Sequence, residues 1–372
     1  MNFDLTEDQT LLKAAVERFV SDSYGGDLEA RRAARQTPAG FAAANWARLA
    51  DTGLLSMAVS TANGGLGSGR VEVMLAMEAL GRGLVAEPVL ETGIIAAALL
   101  DVGANAAQHE TLLNGLMAGE RLVVLAHAER EARYNLAHVE TVARRRGETV
   151  ALDGAKTAVL AGGAADTLIV SARLSGGVRE ADGIGFWLVA ADSAGVDRRS
   201  YRLADGSVAA EVTLRGVEVP ASAALHGGLA LLQPVVATAR LAAAAEMLGL
   251  MGLLFDTTLA YVKTRTQFGK SLGSFQVIQH RMTDAYVLLE QARSQVLRAA
   301  LAEPADFARA AAGAKAFVVE AAVSVGHTAV QMHGGMGITD ELVIGHALKR
   351  LRVLALTFGD GTAALDDYRR AA

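Results

Sequence analysis

No cysteine occurs in the chain. That excludes disulfides, zinc ribbons, cysteine-ligated iron–sulfur clusters and a cysteine nucleophile, and it fits a reducing compartment. Aromatic residues make up only 5% of the sequence, and there are five prolines. Positive charge is not in excess: 35 Lys and Arg stand against 40 Asp and Glu, a formal net charge of −5. A nucleic-acid binder working by bulk positive charge is thereby excluded. Long uncharged apolar runs are missing too. The most apolar stretch, Ala242 to Phe255, contains Glu246 and is flanked by Arg240 and Asp256, short of the roughly 18 residues a spanning helix needs. The start, MNFDLTEDQTLL, has neither a basic n-region nor an apolar h-region and does not read as a secretory signal. A cytoplasmic protein with no membrane and no nucleic-acid partner is expected.

What the chain does have is apolar bulk: 372 residues, 52% hydrophobic, with 39 glycines. The length implies two to three domains at about 100–200 residues each. An apolar excess that is mostly Ala and Leu favours a helical core. Residues 1–118 read as a helical domain. Thr6 and Gln9 form a capping-box pattern ahead of Leu12, Ala15, Val16, Phe19 and Val20 at helical spacing. Val71–Leu80 and Gly93–Leu100 are further candidate helices, with Gly64 to Gly69 and Gly103 as breaks.

Residues 119–226 change pattern. Arg121–Ala126, Thr149–Leu152, Thr157–Leu160, Thr167–Ala172, Ile184–Ala190 and Ala210–Leu214 are short, β-branched or alternating runs. Asp153-Gly154, Gly162-Gly163 and Asp205-Gly206 read as turns between them, which predicts a small β-barrel or sandwich. The run Arg144-Arg145-Arg146 reads as a solvated turn. Residues 227–372 are helical again. Long helices are expected over Pro234–Thr264, from Phe275 onward, over Pro304–Met332 and over Asp340–Thr357. In the second of these, Ile278, Met282, Ala285, Leu289, Ala292 and Val296 form a bundle-type seam. The expected fold is mostly α with a β middle domain: a helical N-terminal domain, a small barrel and a C-terminal four-helix bundle.

Two turns carry chemistry. Arg265-Thr-Gln267-Phe268-Gly269 joins the first two long helices. Gly269 reads locally as a helix stop and Ser274 as the cap of the next helix. An arginine at a helix end beside an amide also grips phosphate oxygens, and an aromatic shields them. Gln331-Met332-His333-Gly334-Gly335 follows the third helix, where paired glycines stop a helix or let a ligand approach the backbone. The eight histidines show no metal-ligand spacing, and no Gly-rich phosphate loop follows a strand.

Taken together, these motifs and the helix–strand–helix order resemble the acyl-CoA dehydrogenase family of flavoproteins over essentially the whole chain. The stretch Leu152-Asp153-Gly154-Ala155-Lys156 followed by Gly162-Gly163-Ala164-Ala165-Asp166 is similar to that family's barrel strand and turn. The resemblance implies FAD contacts from Arg265, Gln267, Phe268, Gln331, Gly334, Gly335 and Thr362, with the Gln331 turn reaching the cofactor of a neighbouring subunit. It implies α,β-desaturation of an acyl-CoA thioester to a trans-2-enoyl-CoA, as in acyl-CoA catabolism, with an electron-transfer flavoprotein as acceptor and a homo- or heterotetramer, or a heterodimer with a related subunit, as the assembly. Arg240 matches an arginine lining the family's active site.

The family's usual base is a Glu directly before Gly-Thr. Registering on Gly361-Thr362 places Asp360 there, whereas registering on Arg350 places Gly359 there. The alternative base position, just before Arg240, is Ala239. On the strand that faces the flavin in the family, Glu129 matches a Glu, but the Gly-Ser-Asp turn that should follow is absent. Ala158 and Leu160 stand where a flavin-contacting Trp and Thr occur. This pattern resembles a divergent branch that includes the small subunits of two-component acyl-CoA dehydrogenases. Two functions therefore stay open: a competent dehydrogenase using Asp360, or a largely non-catalytic subunit that completes a composite FAD site.

Overall fold

The computed structural model describes residues 4–25 and 28–371. The chain folds into two compact units, one of Met1–Arg32, Arg70–Val85 and Arg240–Ala372, the other of Ala33–Gly69 and Ala86–Ala239. In chain order the helices are α1 (Glu7–Ser23), α2 (Leu28–Gln36), α3 (Ala43–Asp51), α4 (Arg70–Arg82), α5 (Ala97–Gly103), α6 (Ala106–Gln108) and α7 (Asn114–Met117). Eight strands follow: β1 (Val123–Ala126), β2 (Val142–Arg146), β3 (Thr149–Leu160), β4 (Thr167–Arg173), β5 (Ile184–Ala190), β6 (Val196–Arg202), β7 (Val208–Pro220) and β8 (Ala224–Leu225). Then come α8 (Gly228–Thr264), the small hairpin of β9 (Thr266–Gln267) and β10 (Lys270–Ser271), α9 (Gln276–Ala300), α10 (Phe307–His333), α11 (Val343–Leu356) and α12 (Gly361–Arg370). The expected architecture, mostly helical with a β middle, is what forms. The Thr6–Gln9 capping box is present at α1.

In the second unit the sheet runs β6-β7-β3-β2-β4-β5-β8, with β1 parallel to β4. Val124, Ala143, Leu152, Val170, Trp187 and Val212, from six different strands, share one core, so the sheet curls around its own interior. Two expectations fail here. The predicted strands Thr149–Leu152 and Thr157–Leu160 are one strand, and Asp153-Gly154 is not a turn but the first of two register shifts within it. A Cβ on Gly154 would sit 2.5 Å from Thr141 Oγ1, so the shift needs glycine. The arginine run is not a turn either but lies on β2. Arg144 pairs with Asp153 at 2.7 Å and Arg146 with Glu218 at 3.1 Å, which lets a cationic strand stand in a sheet.

The first unit is organised around α8. Its side chains from Leu241 to Leu248 are buried, as expected for a helix apolar on every face. Among the described residues it is the one helix long and apolar enough to cross a membrane, and most of its apolar stretch is buried inside the protein. α4 meets it backbone to backbone: a Cβ on Gly81 would lie 2.1 Å from Glu246 O, and one on Gly249 2.0 Å from Glu78 O. Glu246, the charge that interrupts the apolar run, accepts from Arg350 Nε at 2.6 Å and Nη2 at 3.1 Å, a bidentate buried pair. The α9 seam is as expected, with Met282, Ala285, Leu289, Ala292 and Val296 buried.

Four local readings are corrected. α8 starts at Gly228, so Pro234 lies inside it and leaves Ala230 without its helical donor; buried Leu229, Leu231 and Leu232 extend the apolar face past the proline. Gly269 ends no helix but sits in the β9–β10 turn. Ser274 caps nothing: Phe275 is the α9 N-cap, and the serine hydroxyl donates to Ser271 O at 2.7 Å. Finally, a fifth C-terminal helix, α12, follows the expected four.

Candidate functional site

The two glycine-bearing turns stand together in the first unit. The α8 helix ends at Thr264, and Thr266 and Gln267 pair with Ser271 and Lys270. Phe268 and Gly269 form the two-residue loop, with φ of 52° and 78°. Two successive left-handed residues make this a tight hairpin turn, and they turn Phe268 outward until it is 89% exposed. Arg265 and Gln267 are exposed beside it. One turn back along α8, the Tyr261 ring stacks on His333, the last residue of α10, at 4.3 Å. His333 is a packed histidine whose Nδ1 donates to Ala329 O at 2.8 Å. This stack ties the Arg265 turn to the Gln331 turn, where Gln331, Gly334 and Gly335 are exposed. No atom lies within 4 Å of where a Cβ would stand on Gly269, Gly334 or Gly335. The structure therefore brings six of the expected contacts to one end of the bundle, with open backbone and an exposed guanidinium. Such a surface suits a phosphate-bearing ligand.

Arg240 and Asp360 also come together, though neither is free. Arg240 is buried and donates through Nε to Phe358 O at 2.9 Å and through Nη2 to Asp367 at 2.5 Å. Phe358 and Gly359 both have left-handed φ, 55° and 109°. A Cβ on Gly359 would come within 3.2 Å of Arg240 Nη2, so this position holds a glycine for local reasons. Asp360 is half-buried and is the N-cap of α12, accepting from Ala363 N at 2.8 Å. Thr362 lies exposed in the first turn of that helix. From α10, Lys315 reaches the same loop with a fully buried side chain. It donates to Leu354 O at 2.9 Å, Thr357 O at 2.9 Å and Gly359 O at 3.0 Å. Burial, with Arg240 nearby, pushes its ammonium down to about 7.

In the second unit, Ala158 is exposed at φ 49° on the second bulge of β3. It offers no stacking surface. Behind it lies a buried network. Lys156 Nζ donates to Glu129 Oε1 at 2.6 Å, Ser171 Oγ at 2.9 Å and His127 O at 3.4 Å. Glu129 also accepts from Thr141 Oγ1 at 2.6 Å, Thr141 N at 3.0 Å and Glu140 N at 2.5 Å. His127 Nδ1 lies 2.9 Å from Ser171 Oγ. Glu129, His138 and Glu140 could bring ligand atoms within 4.8 Å of one another, but both Glu129 oxygens are taken by donors of this chain, and Lys156 already supplies the countercharge. Burial, and then the Lys156 charge, pull His127 down to about 3, while Lys156 and its hydrogen bonds hold Glu129 below the usual carboxylate range against burial.

A pH effect follows from these shifts. The folded chain keeps His127 neutral well below the unfolded value of 6.5. Between those values only the unfolded chain binds the proton, so the contribution of His127 to stability is full above about pH 6.5 and is lost by up to about 1.4 kcal/mol per unit as pH falls. Glu129, also lowered, adds a further loss below about pH 4.5. Urea unfolding is expected to show midpoints that drop from about pH 6.5 to pH 5. In His127→Gln that slope should flatten; an equal slope in the variant would refute the assignment.

Sequence reading missed Lys315, Lys156 and the Tyr261–His333 stack. The first two carried a signal. Lys315 lies on the helical stripe of Ala311, Val318, Ala322, Val325 and Ala329, all buried, and Lys156 shares the inward face of β3 with Val150 and Leu152. A charge placed on an apolar stripe marks a buried, fully bonded group. The stack carried no signal, because the two rings lie far apart in sequence.

Comparison with known proteins gives the following. Residues 6–120 match the family model described as acyl-CoA dehydrogenase, N-terminal domain, and residues 226–370 the one described as acyl-CoA dehydrogenase, C-terminal domain. The chain is 28% identical to a probable acyl-CoA dehydrogenase, YngJ, of Bacillus subtilis (strain 168), over 98% of this chain and 97% of that protein. Among solved structures it is similar to the Tcur3481-Tcur3483 steroid ACAD G363A variant, with TM-score 0.86 and 28% identity over 98% of this chain and 97% of the other. It is also similar to a chain of the ChsE4-ChsE5 complex from Mycobacterium tuberculosis, with TM-score 0.89 and 26% identity over 100% of this chain and 98% of that one.

Proposed function

Since the chain belongs to the acyl-CoA dehydrogenase family, whose members depend on FAD, we propose that it desaturates an acyl-CoA thioester between its α- and β-carbons. The observation that carries this reading is the pair of open turns joined by the Tyr261–His333 stack. FAD fits them: a guanidinium, an amide, an outward aromatic and three unobstructed glycines stand together. Arg265 and Gln267 would hold its pyrophosphate, Phe268 would shield it, and the Gln331, Gly334 and Gly335 turn would reach the same cofactor, which would then be shared with a neighbouring subunit. Thr362 would add a further contact.

Bound FAD supplies the acceptor for the hydride that leaves the β-carbon. Asp360 removes the α-proton and carries it on its carboxylate, leaving a trans-2-enoyl-CoA. Arg240 acts from below, by fixing the Phe358 carbonyl. The electrons pass on to an electron-transfer flavoprotein.

One observation favours the second reading. The only carboxylate at the base position is already engaged as a helix cap, and its neighbour in the other register is a glycine. On that reading the chain completes a composite FAD site with a related subunit. The Tcur3481-Tcur3483 protein and the ChsE4-ChsE5 complex, each a pairing of two named components, support such an assembly.

The visible spectrum of the purified chain tests both. A yellow protein bleached by one of a panel of acyl-CoAs is the expected result. A colourless chain that takes up FAD only with a related subunit would overturn the first reading in favour of the second.

A further inference from the structure

We propose that Lys315 is a positioning residue for the reaction: its ammonium clamps the backbone that presents Asp360. The inference rests on the reading of Asp360 as base. Four carbonyls converge on Nζ, those of Leu354, Thr357 and Gly359 at 2.9, 2.9 and 3.0 Å and that of Ala355 at a longer 3.4 Å. An ammonium has three donors, and here all three are spent on main-chain oxygens. Leu354 belongs to the last turn of α11, and its carbonyl already accepts from Thr357 N at 3.1 Å; a lysine at a helix C-terminus commonly adds a further bond there. Capping alone would need only the α11 carbonyl. Lys315 reaches beyond the helix to Thr357 and Gly359, and Arg240 takes the carbonyl between them, Phe358 O, at 2.9 Å. Every carbonyl from residue 357 to residue 359 is thus held by a buried cation.

Such holding has a purpose at this place. Phe358 adopts φ 55°, a left-handed conformation that is strained for a non-glycine residue. With Gly359 at φ 109°, it swings the chain so that Asp360 returns to extended backbone, φ −70° and ψ 177°, as the α12 N-cap. Released from its two cations, the loop can relax Phe358 and move the carboxylate. A displacement of about 1 Å at a reacting group can cost roughly a hundredfold in rate. The groups that set the charge around Lys315 are Arg240 from α8 and Asp360 at the head of α12; Asp367 of α12 neutralises Arg240.

The test uses the FAD-loaded protein and Lys315→Met, with Lys315→Gln as the second variant should the first fail to fold. The expected result is a loss of roughly tenfold to a hundredfold in flavin reduction at saturating acyl-CoA, with half-saturation changed less than about threefold. In the Asp360→Asn background the same substitution should add no further loss, because both act through one carboxylate. An unchanged rate, or an equal further loss in that background, overturns the proposal. Should Asp360→Asn alone leave the rate intact, the base reading falls, and hydrogen exchange then decides the clamp without activity. In Lys315→Met the amides from Phe358 to Ala363 should exchange roughly tenfold or more faster than in the parent, while those of α9 stay put. Equal exchange would sink the clamp as well.

Discussion

Asp360→Asn lowers the rate at which an acyl-CoA bleaches the bound flavin by roughly a hundred- to ten-thousand-fold, the span a positioned general base contributes, and leaves stability nearly unchanged. The second half of that expectation comes from the helix cap. Asp360 Oδ1 accepts from Ala363 N at 2.8 Å, and an asparagine oxygen can accept the same bond. Asn and Asp are near-equal N-caps, so the substitution removes the base and keeps the cap. Asp360→Ala removes both and should cost a further 0.5–2 kcal/mol or so of stability. The pair of variants separates two roles that the geometry superimposes. A base gives two slow enzymes of different stability. A cap alone gives a normal rate in Asp360→Asn and a loss of stability in Asp360→Ala, and that outcome would remove Asp360 from the reaction. Stopped-flow reduction and urea unfolding, measured on the same two proteins, decide between them.

How much of this was legible beforehand depended on whether the signal was local. Capping boxes, helical seams and strand alternation are read from neighbours in sequence, so the helix–strand–helix order and the α9 seam could be seen in advance. The expected FAD contacts on the Arg265 and Gln331 turns form one surface because Tyr261 and His333 stack, which no spacing encodes. The errors have physical causes. Gly154 looked like a turn because glycine marks both turns and bulges, and only the nearby Thr141 decides between them. Gly269 looked like a helix stop because a left-handed residue serves equally in a hairpin. Helix α12 is not among the expected helices, although Asp360, three residues ahead of Ala363, is a start signal as well as an acid. The buried lysines are marked in the sequence by their place on apolar stripes, but their partners, such as the carbonyls of the 354–359 stretch for Lys315, are not.

The largest expected loss of stability lies in the β unit. Lys156→Met keeps the length of the side chain and deletes its charge, and it should destabilise the fold by about 3–5 kcal/mol, as breaking one side of a buried ion pair does. Lys156 Nζ sits 2.6 Å from Glu129 Oε1, with side-chain exposures of 0% and 5%. Burial by itself would raise the Glu129 carboxyl, and the lysine is the first of the influences that hold it down. Without the lysine, the carboxylate keeps its bonds from Thr141 and Glu140 but has no countercharge among the groups that bond it. Glu129 should then rise above its ordinary range, and its proton uptake should partly offset the loss that His127 brings on acidification, so the variant's stability falls less steeply from neutrality than the parent's. The double variant Glu129→Gln with Lys156→Met removes the stranded charge and should recover a substantial part of the loss, since a neutral pair is often no worse than a buried ionic one. One further effect should accompany the single variant. Lys156 also holds His127 O at 3.4 Å, and Ala128 O accepts from Thr157 N at 2.9 Å, so the end of β1 is tied to the β3 bulge that bears Ala158. That bulge should loosen, read as faster exchange of the Thr157 amide. Urea midpoints of the two single variants and the double at neutral pH complete a cycle. A double variant no more stable than the sum of the singles predicts would mean that the pair is not coupled, and the account of this network as one charge-balanced unit would have to be given up.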